Sequence, residues 1–363
     1  MRVLALEPFY GGSHRAFLDG WRDHGRHDWT ILGLSAKRWR WRMRHASITL
    51  GCMVNELVSK GEQWDVVFCS DMLNLPEFRG FVDGSVTALP SVAYFHENQL
   101  TYPVREEKER DRHYAFVNIL TAIAGTQVWF NSAFHRDSFM TAARNFLRCM
   151  PDYRLLDHWS EVEARARVFP QGVRPIEPSS GRVAGPIRIL WAARWEYDKN
   201  PDDFFAAVRR LRDRGVAFRL SVIGEQYRTS PKVFARAERE FADVIDHWGY
   251  QASRDSYETV LRESDISVST SNHEFFGVSM VETALAGAWP IVPDRLAYPE
   301  VFERDSHPQF FYDGTVEGLC EQLESVIRQI EGGTVDRTSS EIVQRFTWER
   351  LVGQLDDALE RPD

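Results

Sequence analysis

Short apolar runs recur along the first half of the chain, at Arg2 to Leu6, Asp65 to Cys69, Ser91 to Phe95 and Gln127 to Phe130, each followed by polar, helix-compatible sequence. That alternation predicts a parallel sheet with helices on both faces. The second half repeats the theme at Ile187 to Trp191, Phe218 to Ile223, Val244 to Trp248, Ile266 to Ser269 and Pro290 to Val292. The expected fold class is therefore α/β, with two doubly wound lobes. Pro170 to Pro175 and then Pro178-Ser179-Ser180-Gly181 concentrate turn residues without periodicity, as a linker does. This places the boundary near 171–186, between a first domain over 1–175 and a second over 186–338. In the remaining 339–363, Phe346, Leu351, Leu355 and Leu359 have helical spacing, which predicts a helix packing back across the lobes. Two facing lobes would leave a cleft at the carboxyl ends of both sheets, where such folds bind ligands.

Length agrees with two lobes, since 363 residues exceed one ordinary domain. No apolar stretch is long enough to span a bilayer, so no membrane partner is expected. The start, with Glu7 and Pro8 following six residues, lacks the apolar core of a secretory signal, and cytoplasmic residence is expected. Cys52, Cys69, Cys149 and Cys320 are scattered without ligand spacing, which argues against structural zinc or a disulfide framework. The net charge of −9 disfavours a general nucleic-acid coat. Locally the picture differs: no acidic residue occurs from Trp29 to Asn55, and Lys37, Arg38, Arg40, Arg42 and Arg44 crowd beside Trp39 and Trp41.

Chemistry concentrates in Glu274-Phe275-Phe276-Gly277-Val278-Ser279-Met280-Val281-Glu282. Were a helix to begin near Gly277, its first N–H groups and its dipole would favour a diphosphate there. Glu282, further along, would accept from ribose hydroxyls, and Glu274 would reach the transferred sugar. Taken alone, such a pair is better explained by one solvated and one capping glutamate. The segment Arg194-Trp195-Glu196-Tyr197-Asp198-Lys199-Asn200-Pro201 changes that balance, because it follows a strand and precedes a helix opened by Pro201. Arg194 and Lys199 there would neutralise the charge that develops on a departing phosphate, in place of a metal ion. No Asp-x-Asp metal motif occurs, and neither metal nor cofactor is expected.

In the first half, Gly11-Gly12-Ser13-His14 follows the first strand, with small residues where a backbone must approach a ligand. Without the lobes around it, a plain tight turn explains it better. His96-Glu97-Asn98-Gln99 ends another strand, and three polar residues directly after His96 favour a site over a core histidine. Asn131-Ser132 ends the next strand similarly. Lys37 to His45 alternates cations with hydrophobes at period two, so an extended chain would carry arginines on one face and Trp39, Trp41 and Met43 on the other. Phosphate and base contacts to RNA, or two packed tryptophans with solvated arginines, account for it equally well.

Together these residues resemble the retaining family-4 glycosyltransferases of the GT-B fold, whose signature is the paired glutamates with a preceding Arg and Lys. Phe9 to His14, Lys37 to Arg42, Phe95 to Gln99 with Tyr102-Pro103, Phe130 to Ser132 and His273 to Gly277 more narrowly resemble the tRNA-queuosine α-mannosyltransferase family, through nearly the whole chain. The resemblance implies transfer of mannose from GDP-mannose to queuosine at the wobble position of tRNA-Asp, with retention. It makes Arg194 and Lys199 hold the diphosphate, Glu282 the ribose, Glu274 the mannose and His96 the reacting end, so that His96, Glu274, Arg194 and Lys199 form the catalytic set. Gly11, Gly12, Ser13, Phe276, Gly277 and Val278 complete the donor side. His14, Lys37, Arg38, Trp39, Arg40, Trp41, Arg42, Glu97, Asn98 and Asn131 form the acceptor side. No protein partner is implied.

Three other readings compete. A lipid or polysaccharide acceptor would call for a basic amphipathic helix, against which the strand-like alternation at 37–45 speaks. A binding protein without turnover would not need the whole catalytic set. An epimerase on the same fold would release nucleoside diphosphate without any acceptor.

Overall fold

A computed structural model describes residues 1–104, 111–178, 181–227, 229–333 and 338–361, so Ser179 and Ser180 of the expected linker lie outside it. The chain divides into two compact units, Met1–Gly172 with Trp348–Asp363, and Val173–Thr347.

Unit 1 holds β1 (Arg2–Tyr10), β2 (Asp28–Ser35), β3 (Val66–Ser70), β4 (Ser91–Phe95), β5 (Gln127–Phe130) and β6 (Ala166–Val168). They form one parallel sheet in the order β2-β1-β3-β4-β5-β6. The central strands are mostly apolar because both faces are covered. Successive residues divide between two cores: Leu4, Leu6, Val67, Cys69, Ala93 and Phe95 enter one, and Val3, Ala5, Val66, Phe68, Val92 and Tyr94 the other.

The second core is closed by the helix Trp348–Leu359, whose Trp348, Leu351, Leu355 and Leu359 pack with Phe17 and Trp21. A methyl group added at Gly20 would come within 2.2 Å of the Trp348 indole, and one at Gly172 within 2.5 Å, so both glycines are demanded by that ring. Asp356 on the same helix accepts from Trp21 Nε1 at 2.7 Å and from the Arg26 amide at 2.9 Å. Of the expected terminal segment, Trp348 onward thus belongs to unit 1, and 339–347 to unit 2. The crossing falls at Gly172/Val173, earlier than most of the expected linker, because Val173 bridges to Thr347 and donates to the Phe346 carbonyl at 2.9 Å.

Unit 2 holds β7 (Ile187–Ala192), β8 (Phe218–Ile223), β9 (Ile245–Gly249), β10 (Ile266–Val268), β11 (Trp289–Pro293) and β12 (Phe311–Tyr312). Its parallel order is β12-β11-β10-β7-β8-β9. Strand order reverses between β7 and β10 here, and between β1 and β3 in unit 1. Such switch points open a crevice at the strands' carboxyl ends.

One expectation fails. The segment from Trp39 is not extended: Trp39–Ser59 is a helix, entered through Arg38 in the left-handed region at φ 55°. Its buried stripe is Met43, Ala46, Ser47, Leu50, Gly51 and Val54, at helical spacing, and this stripe outweighs the local period-two alternation of the first few residues. The argument against a lipid acceptor that rested on a strand therefore falls.

Candidate active site

In unit 2 a small pocket sits at the switch point, lined by Trp191 and Ala192 at the end of β7 with Ala193 after them, by Val268 at the end of β10 with Ser269 and Ser271 after it, and by Glu274 and Tyr298. Lys199 lies beside it on the short 3-10 turn Tyr197–Lys199, which is tied to the loop after β10: Thr270 Oγ1 donates to the Lys199 carbonyl at 2.9 Å, and the Asn272 amide to the Asp198 carbonyl at 2.8 Å. The buried Lys199 ammonium donates to the His273 carbonyl at 2.8 Å and to Glu274 Oε2 at 3.2 Å, and lies 3.3 Å from Asp198 Oδ2. Burial disfavours that charge, but Glu274 and Asp198 outweigh it and raise the Lys199 pKa. Burial likewise pushes Glu274 up, and Lys199 overcomes it to hold the carboxylate below its usual range. Burial and then Lys199 bring His273 down to about 4, so it is neutral. An isolated buried charge would be costly, and this mutual pairing is what permits it.

Gly277 caps the helix Val278–Leu285 at φ 93°, in the region that favours glycine, and a Cβ there would meet Tyr298 at 2.9 Å. No side chain caps this N-terminus, and such uncapped leading N–H groups, with the helix dipole, favour an anion. Phe276 is buried against Phe346. Glu282, on the same helix, accepts from Arg254 Nη1 and from the Tyr257 hydroxyl, both at 2.8 Å. Arg194 is 45% exposed and lies 3.4 Å from Glu196. The structure thus gathers Lys199 and Glu274 into contact and leaves Arg194 at the surface.

Unit 1 builds a second polar cluster at its own switch point. Glu7 of β1 accepts from the Phe9 amide at 2.8 Å and from Ser70 Oγ, at the end of β3, at 3.0 Å. Its other oxygen lies 3.1 Å from His14 Nδ1, and His14 stacks on His96 with ring centroids 4.0 Å apart. Burial alone would disfavour a charged His14, yet Glu7 raises it to about 9. Burial, and then His14 and His135, drive His96 well below the usual histidine range, so it is neutral. Both His96 ring nitrogens are buried with no partner among the described residues. Asp71 accepts from the His96 amide at 2.9 Å, and burial raises its carboxyl well above the ordinary range against the pull of His14. Glu7, His14 and His96 offer ligand atoms within 4.8 Å of one another, the spacing of a metal triad. Glu7 already serves three donors, however, and stacked rings direct their in-plane lone pairs side by side, which suits a fixed ion pair better than convergence on a cation.

The other expected residues fall into place less uniformly. Gly11 lets Ala36 approach, since a Cβ would meet that methyl at 2.3 Å, whereas Gly12 at φ 52° and Ser13 open the helix Gly12–His24 at the surface. Asn98 is buried and turned into its own loop, accepting from the Leu100 and Thr101 amides at 3.1 and 2.9 Å. Glu97 accepts from Gln99 Nε2 at 3.2 Å. Asn131 donates to the His96 carbonyl at 3.0 Å and holds His135 at 2.9 Å. In the basic segment Lys37, Arg38 and Arg40 are exposed, and Trp41 is 58% exposed. Trp39 packs on the cluster of Met43, Met72, Tyr114 and Val117, and Arg42 Nε donates to the Ser35 carbonyl at 2.9 Å. Glu7, Asp71, Arg254 and Tyr257 escaped the sequence reading, because each acts through partners brought together only by the fold. Asp198 stood inside the Arg194 to Pro201 motif and is the one that an unassigned acid beside Lys199 could have signalled.

Two doubly wound parallel sheets, with this charged pocket, define a glycosyltransferase of the GT-B class. The fold matches that of Anabaena HepE in complex with UDP and glucose, at TM-score 0.70 and 13% identity over 99% of each chain. It also matches sucrose-phosphate synthase from Thermosynechococcus elongatus, at TM-score 0.74 and 12% identity over 99% of this chain and 98% of that one. Residues 2–173 match the tRNA-queuosine alpha-mannosyltransferase N-terminal family, and residues 174–331 match the glycosyl transferases group 1 family. A Drosophila melanogaster tRNA-queuosine alpha-mannosyltransferase is 36% identical over 319 residues, 84% of this chain and 82% of that protein. A GDP-mannose:cellobiosyl-diphosphopolyprenol alpha-mannosyltransferase of Xanthomonas oryzae is 23% identical over 68% of this chain and 65% of that protein. The chain belongs to the tRNA-queuosine alpha-mannosyltransferase family.

Proposed function

We propose that the protein transfers mannose from GDP-mannose to queuosine at the wobble position of tRNA-Asp, with retention at the anomeric carbon and without a metal ion. The observation that carries the reading is the Lys199–Glu274 pair beside the uncapped helix N-terminus at Gly277, in a chain whose first half matches the queuosine family throughout. The name of the Xanthomonas oryzae relative, a GDP-mannose-dependent transferase, supports the donor.

In this reading the uncapped N–H groups of the helix Val278–Leu285 and the exposed Arg194 take the diphosphate. Lys199 supplies the buried positive potential behind it and orients Glu274 toward the mannose hydroxyls. The bond from mannose C1 to the phosphate oxygen breaks, and a bond to a hydroxyl of the queuosine cyclopentenediol forms on the same face. The acceptor proton passes to the departing phosphate, which leaves as GDP. His96, neutral and with both nitrogens unused, accepts or donates a hydrogen bond at the reacting end. The exposed Arg40 and Trp41 at the start of their helix would meet tRNA phosphates and an unstacked base.

The test is incubation of purified protein with GDP-mannose and queuosine-containing tRNA, in chelator and again with added magnesium, followed by mass analysis of the digested nucleosides. A queuosine nucleoside heavier by one hexose in both arms is expected. A shift only with magnesium would overturn metal independence, and no shift in either arm would overturn the donor or the acceptor. A second reading, a lipid-linked acceptor, draws on the Xanthomonas relative and on the helical form of the basic segment, and hexose transfer to a polyprenol diphosphate sugar instead of tRNA would favour it.

A further inference from the structure

Glu282 has its two oxygens each engaged by a different side chain of a neighbouring helix. That helix, Arg254–Glu263, opens with a reciprocal cap between Ser253 and Ser256, which fixes its first turn. Arg254 and Tyr257, three residues apart, fall on one face of it and both reach Glu282: Arg254 Nη1 to Oε1 and the Tyr257 hydroxyl to Oε2, each at 2.8 Å. Arg254 is itself held in place. Its Nε donates to Glu258 Oε1 at 2.7 Å, Arg262 Nη2 donates to Glu258 Oε2 at 2.6 Å, and the Arg254 guanidinium lies 5.2 Å from the centre of the Tyr257 ring. Glu282 is 11% exposed as a side chain.

The consequence is a carboxylate with one orientation. Each oxygen has given one lone pair to the helix and keeps another, so a ligand meets two acceptors already aimed. Arg254 adds a donor: its Nη2 is buried and has no acceptor among the described residues, although it sits on the same guanidinium that grips Glu282. Fixed acceptors beside an unused cationic N–H match a vicinal diol, whose hydroxyls each donate one hydrogen bond and accept another. A free amine or a phosphate would satisfy only one half of the set.

We infer that Arg254 and Tyr257 are positioning residues that set Glu282 to select a ribose diol in the sugar-nucleotide donor, with Arg254 Nη2 contributing a direct contact. This rests on the reading that Glu282 meets the donor ribose. Ordering the carboxylate before binding removes a cost that a loose glutamate would incur at that moment. Loss of either partner therefore weakens recognition of the diol and leaves recognition of base and diphosphate alone.

The experiment is calorimetric titration of the full chain with GDP and with 2′,3′-dideoxy-GDP, for wild type, Tyr257→Phe, Arg254→Gln, Arg254→Lys and Glu282→Gln, each first shown to melt cooperatively. Wild type is expected to prefer GDP by about tenfold or more, the value of hydrogen bonds to a charged acceptor. Tyr257→Phe and Arg254→Gln are expected to cut that preference by roughly threefold to tenfold through weaker GDP binding, with dideoxy-GDP affinity unchanged. Arg254→Lys, which keeps the charge and loses the fork, is expected to behave as Arg254→Gln does. A preference that collapses in Glu282→Gln but survives in the Arg254 and Tyr257 variants overturns the positioning role alone. A preference that survives in Glu282→Gln overturns the ribose reading together with the positioning role, as does wild type that binds neither diphosphate.

Discussion

The two units solve one problem with opposite electrostatics. Each puts buried polar groups at the switch point of a parallel sheet, unit 1 between β1 and β3 and unit 2 between β7 and β10. In unit 2 a single buried cation, Lys199, is shared between two acids, Asp198 and Glu274. In unit 1 Glu7 pairs directly with one charged histidine, His14, which stacks on a second, neutral one, His96. The first arrangement is a fixed field, saturated with internal partners and suited to an anionic donor arriving beside it. The second leaves two ring nitrogens open, which suits hydrogen bonding to a neutral group. The lesson is that charge pairing alone does not mark the reacting atom: the unsatisfied group next to the pair does.

That contrast can be broken most severely at Lys199. Lys199→Ala leaves Asp198 and Glu274 facing each other unpaired, so we expect loss of transfer by about a thousandfold or more and roughly 3–5 kcal/mol of stability, read from initial rates and urea unfolding. Lys199→Ala with near wild-type turnover would remove unit 2's fixed field from the mechanism.

In unit 1 the expected signature is pH dependence. Glu7 raises His14 to about 9 from an unfolded value near 6.5, with Asp71 and Glu97 adding to the attraction. The pair's stabilisation is therefore fully present below pH ~6.5 and lost as pH rises through ~9, about 3 kcal/mol in all. Thermal melts between those limits should show that decline in wild type and lack it in His14→Gln.

A smaller effect is expected at the neutral ring. His96→Ala should lower kcat by roughly tenfold to a hundredfold, the worth of one hydrogen bond in a low-dielectric site, with GDP affinity unchanged because the groups assigned to the diphosphate and ribose, Arg194, Lys199 and Glu282, lie in the other unit. A parallel loss of GDP binding would end the division of labour between the units. Smallest of all, Arg40→Glu with Trp41→Ala should raise the tRNA KM by about tenfold and make it less steeply dependent on salt, with the donor KM constant. Invariant tRNA dependence would return that helix end to the solvated surface.

Legibility in the sequence followed burial. Strands covered on both faces, such as β4, β5 and β8, stood out as apolar runs with their observed ends, Ser91–Phe95, Gln127–Phe130 and Phe218–Ile223. The edge strands β2, β6 and β12 did not, because β2 is only half buried and the other two span three and two residues. The basic segment misled because its alternation fills only the first turns of a helix whose buried stripe, Ala46, Leu50 and Val54, lies downstream. Within the site, contiguous motifs such as Glu274 to Glu282 were legible. Glu7 with Ser70, or Tyr257 with Glu282, were not, since 63 and 25 residues separate partners that only the topology joins.

The interrupted first unit also orders events in time. Its second core stays open at Phe17 and Trp21 until Trp348 and Leu351 arrive, yet every residue of unit 2, Val173–Thr347, is made before them. During synthesis unit 2 is therefore complete while unit 1 still shows an aromatic surface to the surrounding cell. Chaperone engagement should concentrate on nascent chains in that window, and premature stops just before Trp348 should harm the half of the protein that was translated first.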